Sequence, residues 1–167
     1  DLAASQSSLK LRLCVPKSRG ARYISNRGQA VNAGVSDFTG AEQQLVLELL
    51  QQRYGKPVLP ELADSELKLD PASDEMTLCP TLFWSERGAN FVVCKAAPQR
   101  YRCQFFYADA DQYGTGQQDY TDLRRCVLTL LRVQADHERQ SADMSNQATA
   151  ADLVAGLRRH VGHRVRA

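Results

Sequence analysis

Residues 91–116, FVVCKAAPQRYRCQFFYADADQYGTG, set two aromatic and β-branched runs on either side of Pro98 and then run into closely spaced aspartates and glycines. Such runs suit a pleated, half-buried surface, and the break at Pro98 and Gln99 reads as the turn of an antiparallel hairpin. Pro98 excludes a type I′ turn, because that turn needs a positive φ at its first central residue. With Ala97 opposite Arg100, counting outward from the turn places Cys94 opposite Cys103, the geometry of a cross-strand disulfide. The spacing does not fit a redox CxxC motif. Such a staple would contribute about 2–3 kcal/mol through chain entropy.

The same composition extends N-terminally. MTLCPTLFW (residues 76–84) is a further strand, joined through SERGA (85–89), so the unit predicts a three-stranded antiparallel meander. Beyond it, Leu123, Val127, Leu130 and Leu131 recur at helical spacing, giving an amphipathic helix that covers the meander and buries Cys126 as an apolar packer. Upstream, SLKLRLCV (8–15) alternates with period two and predicts a half-buried strand. Residues 16–28 then form a basic loop with a short extended piece at Tyr23 and Ile24. Thr39 and Glu42 have capping-box spacing ahead of an apolar stripe at Leu45, Val46, Leu49 and Leu50, which Gly55 and Pro57 terminate. Residues 57–75 are rich in acids and proline and read as an excursion between elements. After a polar connection containing Ser141 and Asn146, residues 143–167 carry Leu153, Leu157 and Val161 on one face of a weak terminal helix, weakened by Gly156 and Gly162. The expected fold is α+β: a three-stranded meander packed against an amphipathic helix, with an additional N-terminal strand and helix, in a single compact domain over 1–167.

At 167 residues, 43% hydrophobic and 24% charged, the chain has the composition of an ordinary globular domain and does not need disulfides to replace a core. The formal charge of +2 gives no global attraction to nucleic acid. The charge is unevenly placed, however. Arg12, Lys17, Arg19, Arg22 and Arg27 follow one another without an acid, whereas Glu61, Asp64, Glu66, Asp70, Asp74 and Glu75 have only Lys68 among them. No apolar run is long enough to span a bilayer. The first residues, DLAAS, carry no basic-plus-apolar leader and fit either a processed end or a fragment boundary.

Five cysteines fit an oxidising compartment better than a reduced one, and a second bridge between Cys14 and Cys79 completes the expected set, with Cys126 free. A thiol nucleophile would need an adjacent base, and His137, His160 and His163 all lie late in the chain without a cysteine-hydrolase motif around them. Asp109, Asp111, Gly114 and Asp119 resemble a calcium loop, but Tyr113 and Tyr120 stand where ligands are needed. A turn leading to a helix capped by Asp119 or Thr121, with Asp122 near its positive end, is the simpler reading. His160 and His163 are too few for a zinc site alone. We therefore expect no metal and no cofactor.

No phosphate loop, nucleophile elbow or HExxH motif is present. The sequence favours an exported, extracellular or periplasmic, disulfide-supported protein-binding or accessory protein, non-enzymatic and compatible with an inhibitory role. Its expected partner is another protein or a charged ligand. The contact residues are Arg19, Arg22, Tyr23 and Arg27, with Trp84 and Arg87 at the edge of a turn. A small thiol-dependent hydrolase is one alternative. A weakly basic nucleic-acid-binding domain, joining the early arginines to Arg158, Arg159, Arg164 and Arg166, is another.

Overall fold

Helix α1 (Gly40–Tyr54) begins at the predicted capping box: Thr39 Oγ1 accepts from the Glu42 amide at 3.2 Å, and Glu42 Oε2 accepts from the Thr39 amide at 2.7 Å. Two backbone donors that the helix cannot satisfy are thereby paired. Val46, Leu49 and Leu50 form its buried stripe. Gly55 ends the helix at φ 69°, with its amide bonded to Gln51 O at 2.9 Å. A Cβ is strained in that left-handed conformation, so Gly55→Ala should cost about 1 kcal/mol. A lower urea midpoint at an unchanged slope is the expected result; an unaltered midpoint would show that the helix does not depend on this cap.

The computed structural model describes the backbone of residues 12–14, 31–32, 35–108 and 111–161, and the side chains of residues 35–108 and 111–147. The chain divides into two compact units, Asp1–Leu131 and Arg132–Ala167. The first holds a mainly antiparallel sheet built from β1 (Arg12–Cys14), β2 (Val31–Asn32), β3 (Glu61–Leu67), β4 (Thr77–Glu86), β5 (Ala89–Ala97), β6 (Arg100–Phe106) and β7 (Gln112–Gly114). Its order is β1-β3-β4-β5-β6-β7, with β2 parallel to β4. The α+β class is as expected, but the meander is larger than three strands: β3 to β7 form five consecutive antiparallel strands. Two of these strands are missing from the sequence reading: β7, which lies in the stretch expected to be a polar turn, and β3, which lies within the expected acidic excursion at 57–75. Strand β3 buries Ala63, Ser65 and Leu67 and turns its acids outward, so small and polar inward residues hid its period of two. Pro80 is tolerated inside β4 because it falls between the stretch paired with β2, Thr77 and Leu78, and the stretch paired with β5 from Thr81 onward.

The hairpin at Pro98 carries the main correction to register. Ala97 does lie opposite Arg100, but Ala96 is a bulge, and pairing resumes with Lys95 opposite Tyr101. The extra residue moves every later pair by one: Cys94 faces Arg102, and Val93 faces Cys103. Because a one-residue shift exchanges the two sides of a sheet, Cys94 and Cys103 point to opposite faces and the expected staple cannot form. Cys79, Cys94, Cys103 and Cys126 are all free thiols. The Cys14 to Cys79 bridge is likewise corrected: the Cys79 thiol is free, and the backbone register sets Cys14 against Asp64 while Cys79 stands against Ser65.

On one sheet face, Trp84, Phe91, Phe105 and Tyr113 lie directly opposite one another across β4 to β7. Their rings form a continuous ladder, with centroids 5.2, 6.3 and 5.2 Å apart. Both helices reach this face. Glu42 of α1 accepts from Lys95 Nζ and Tyr101 Oη, and Cys103 Sγ donates to the carbonyl of Cys126 in α2 (Leu123–Val161) at 3.8 Å. The other face carries a buried polar row, in which Thr81 Oγ1 lies 2.8 Å from Ser65 Oγ and 3.3 Å from Cys94 Sγ, with Arg102 opposite Cys94.

Helix α2 starts with Asp122, whose Oδ1 accepts from the amides of Arg124 and Arg125 at 2.8 and 3.4 Å. Asp119 and Thr121 are therefore not its cap. Leu123, Cys126, Val127, Leu130 and Leu131 are buried as the spacing predicts. In the second unit, α2 continues through the stretch expected to be a polar connection and ends at Val161, so residues 143–161 are not a separate terminal helix. Side chains 138–147 are all exposed, the pattern of a helix solvated on every side. Among the described residues, no helix is long and apolar enough to cross a membrane.

Candidate functional site

The last turn of α1 brings Arg53 and Tyr54 to the end of the sheet where β4 turns into β5. That turn has two residues, Arg87 and Gly88, between paired Glu86 and Ala89, and both have positive φ, 53° and 78°. Positive φ at both positions is the type I′ requirement, for which Asn-Gly is the favoured pair. Arginine at the first position carries a Cβ penalty of about 1 kcal/mol. Its guanidinium carbon lies 5.6 Å from the centroid of the Tyr54 ring, and that of Arg53 lies at 5.6 Å from the same ring. Lys56, just past the helix, pairs with Glu86 at 2.9 Å. Two guanidiniums thus face a single aromatic ring, and the Lys56–Glu86 ion pair lies beside the same turn.

Trp84 underlies this cluster rather than joining its surface. It is 2% exposed and stacked on Phe91 at an interplanar angle of 8°, so its expected contact role is corrected to that of a core residue. Tyr54 Oη and Trp84 Nε1 neighbour each other at a geometry short of a full hydrogen bond and are otherwise unpartnered. Burial pushes the Tyr54 phenol above its ordinary value, so the ring stays neutral and its face remains available to cations. Arg87 is exposed, as the turn reading expected. Arg19, Arg22, Tyr23 and Arg27 lie outside the described residues. Sequence reasoning missed Arg53, Tyr54 and Lys56; the available signal was their position around the Gly55 cap, where basic residues favour the negative helix end.

Two further polar clusters hold the scaffold. Lys95 Nζ bonds Glu42 Oε2 at 3.0 Å and Asp37 O at 3.4 Å, while Tyr101 Oη donates to Glu42 Oε1 at 2.6 Å. Arg102 Nε bonds Asp119 Oδ1 at 2.7 Å, its Nη1 bonds Lys68 O at 3.2 Å, and Arg100 Nη2 bonds Asp119 Oδ2 at 3.0 Å. Asp119 is thus an ion-pair partner. It is placed by the two backbone bonds, each 2.8 Å, that join Tyr120 to Tyr101.

The thiols of Cys79, Cys94 and Cys126 are held protonated at neutral pH. Burial pushes Cys94 up to about 12 and also raises Cys79. Cys126 is raised first by its hydrogen bond with the Cys103 thiol and then by burial. Asp111 is exposed, whereas Asp109, the His160 side chain and His163 lie outside the described residues. Among the described residues no three His, Cys, Asp or Glu side chains converge as a metal site. No protein-family model, curated protein or solved structure matches the chain.

Proposed function

We propose that the protein is a non-enzymatic binding or accessory protein that captures an acidic segment of a partner protein on Arg53, Tyr54, Lys56 and Arg87. The observation that carries this reading is the pair of guanidiniums over one tyrosine ring, one of them on a backbone conformation that arginine rarely adopts. Backbone strain retained at an exposed turn points to use of the side chain it presents. Guanidiniums offer a planar fork that matches carboxylates in two bonds, and stacking on Tyr54 orders that fork before the partner arrives. The protonated thiols weigh against the hydrolase alternative, since thiolate is the nucleophilic form. An extracellular or periplasmic site of action now rests on the cysteine count, without the staple, and the thiol state of protein from its own compartment tests it.

Selection of a random-peptide display library on the immobilised protein should enrich peptides rich in Asp and Glu. They should elute in high salt and be lost with R53A/R87A. Enrichment without acidic bias, or unchanged enrichment on R53A/R87A, would contradict the proposal; preferential retention of oligonucleotides would favour the nucleic-acid alternative.

Arg87→Asn separates recognition from folding. It should raise stability by about 0.5–1 kcal/mol by restoring the preferred turn pair while weakening capture of the selected acidic peptides at least fivefold. Parallel urea denaturation and peptide titration check both effects, and loss of stability would contradict the strain assigned to Arg87.

A further inference from the structure

We infer that Cys103 and Cys126 form an oxidation site, closing under a small-molecule disulfide such as oxidised glutathione into a bond that ties β6 to the first turn of α2. Cys103 Sγ lies 3.8 Å from the Cys126 carbonyl oxygen, 23 positions away in sequence. Both residues are buried, at 4% and 0% exposure, on the sheet face that the helices cover.

The other two described thiols are less suited to bridging. Cys94 stands opposite Thr81, and Cys79 lies two residues further along β4. That diagonal relation spans about 7–8 Å between residues, whereas a disulfide needs Cβ atoms about 3.5–4.5 Å apart. Cys94 also faces away from Cys103 and Cys126 because of the bulge at Ala96.

The reaction is two thiol–disulfide exchanges. One cysteine thiolate attacks glutathione disulfide, forming a mixed disulfide and expelling one glutathione thiolate. The second cysteine thiolate then attacks the protein sulfur of that mixed disulfide and expels the other. The two thiols lose two electrons to the oxidant, and their two protons end on two molecules of reduced glutathione. Burial of both sulfurs, and the raised Cys126 thiol, keep the closed protein slow to react. Closure therefore proceeds while the first turn of α2 is detached from β6, during folding or local opening.

The test is oxidative refolding of the full chain in a reduced and oxidised glutathione buffer near pH 8, followed by alkylation and non-reducing peptide mapping. The expected dominant bridge is Cys103 to Cys126. The oxidised protein should melt roughly 5–10 °C above its reduced form, and this difference should vanish in both C103A and C126A. A dominant bridge through Cys14, Cys79 or Cys94, or five alkylated thiols, overturns the assignment. The mapping on wild-type protein decides the question even if an alanine variant folds poorly.

Discussion

Asp119→Ala should destabilise the protein by about 3–5 kcal/mol, the usual cost of stranding one member of a buried ion pair. Its principal partner, Arg102, has a side chain only 2% exposed, and Asp119 also holds Arg100. Arg102 remains charged under all ordinary conditions. Without the carboxylate, only the Lys68 carbonyl among its described partners is left to a guanidinium that water cannot reach. The double variant R102M/D119A should recover at least half of the loss, because it removes the buried charge together with its partner. Urea denaturation of the three proteins measures this, and a loss below about 1 kcal/mol for Asp119→Ala would mean that the pair does not hold β6 against the segment before α2.

Glu42→Ala should cost about 3 kcal/mol, because a single carboxylate closes the cap of α1, pairs with Lys95 and accepts from Tyr101. Lys95 has a side chain 6% exposed and becomes the stranded charge. Burial alone would push the Glu42 carboxyl up, but bonds from Tyr101, the Thr39 amide and Lys95 outweigh it and hold the group below its ordinary value. The sign follows: this stabilisation is complete above the unfolded carboxyl value of about 4.3 and is lost as pH falls through the lower folded value. Asp119 is depressed in the same sense, with burial opposing and both arginines prevailing. Tyr101 is raised, by burial and then by its bond to Glu42, so its contribution is complete below about 10 and fades as pH rises through the folded value. Stability of the wild type should therefore fall on both sides of a plateau between about pH 5 and 9. In Glu42→Gln both limbs should be shallower, which pH-dependent urea midpoints measure. Acid and alkaline limbs identical to wild type would contradict the role given to Glu42.

The parts of the fold legible in the sequence were those written in local pattern. Thr39 with Glu42, the stripe of α1, the apolar spacing after Leu123 and the runs flanking Pro98 each act over a few residues. Register was not legible, because the bulge at Ala96 leaves no composition signal and yet decides which face Cys94 takes. Likewise, β3 hides behind outward acids and inward Ala63 and Ser65, whose burial depends on strands far away in sequence. The sequence reading expects Asp119 or Thr121 as the cap and Asp122 only as a charge near the positive helix end, whereas Asp122 is the cap and Asp119 an ion-pair partner. Only the bridge from Tyr101 to Tyr120 separates their roles. At the candidate site, Arg87 could be read from its turn, but its meeting with Arg53 and Tyr54 depends on how α1 lies on the sheet.

The central claim, that Arg53, Tyr54, Lys56 and Arg87 receive an acidic segment, is tested most directly by titrating isotope-labelled protein with hexaglutamate, using hexaglutamine as control, and following backbone and arginine side-chain NMR signals. The account predicts saturable shifts concentrated at residues 53–56 and 86–88. They should weaken as salt rises and be absent with hexaglutamine and in R53A/R87A. No shifts with hexaglutamate, or shifts centred elsewhere and unaffected by R53A/R87A, would contradict it.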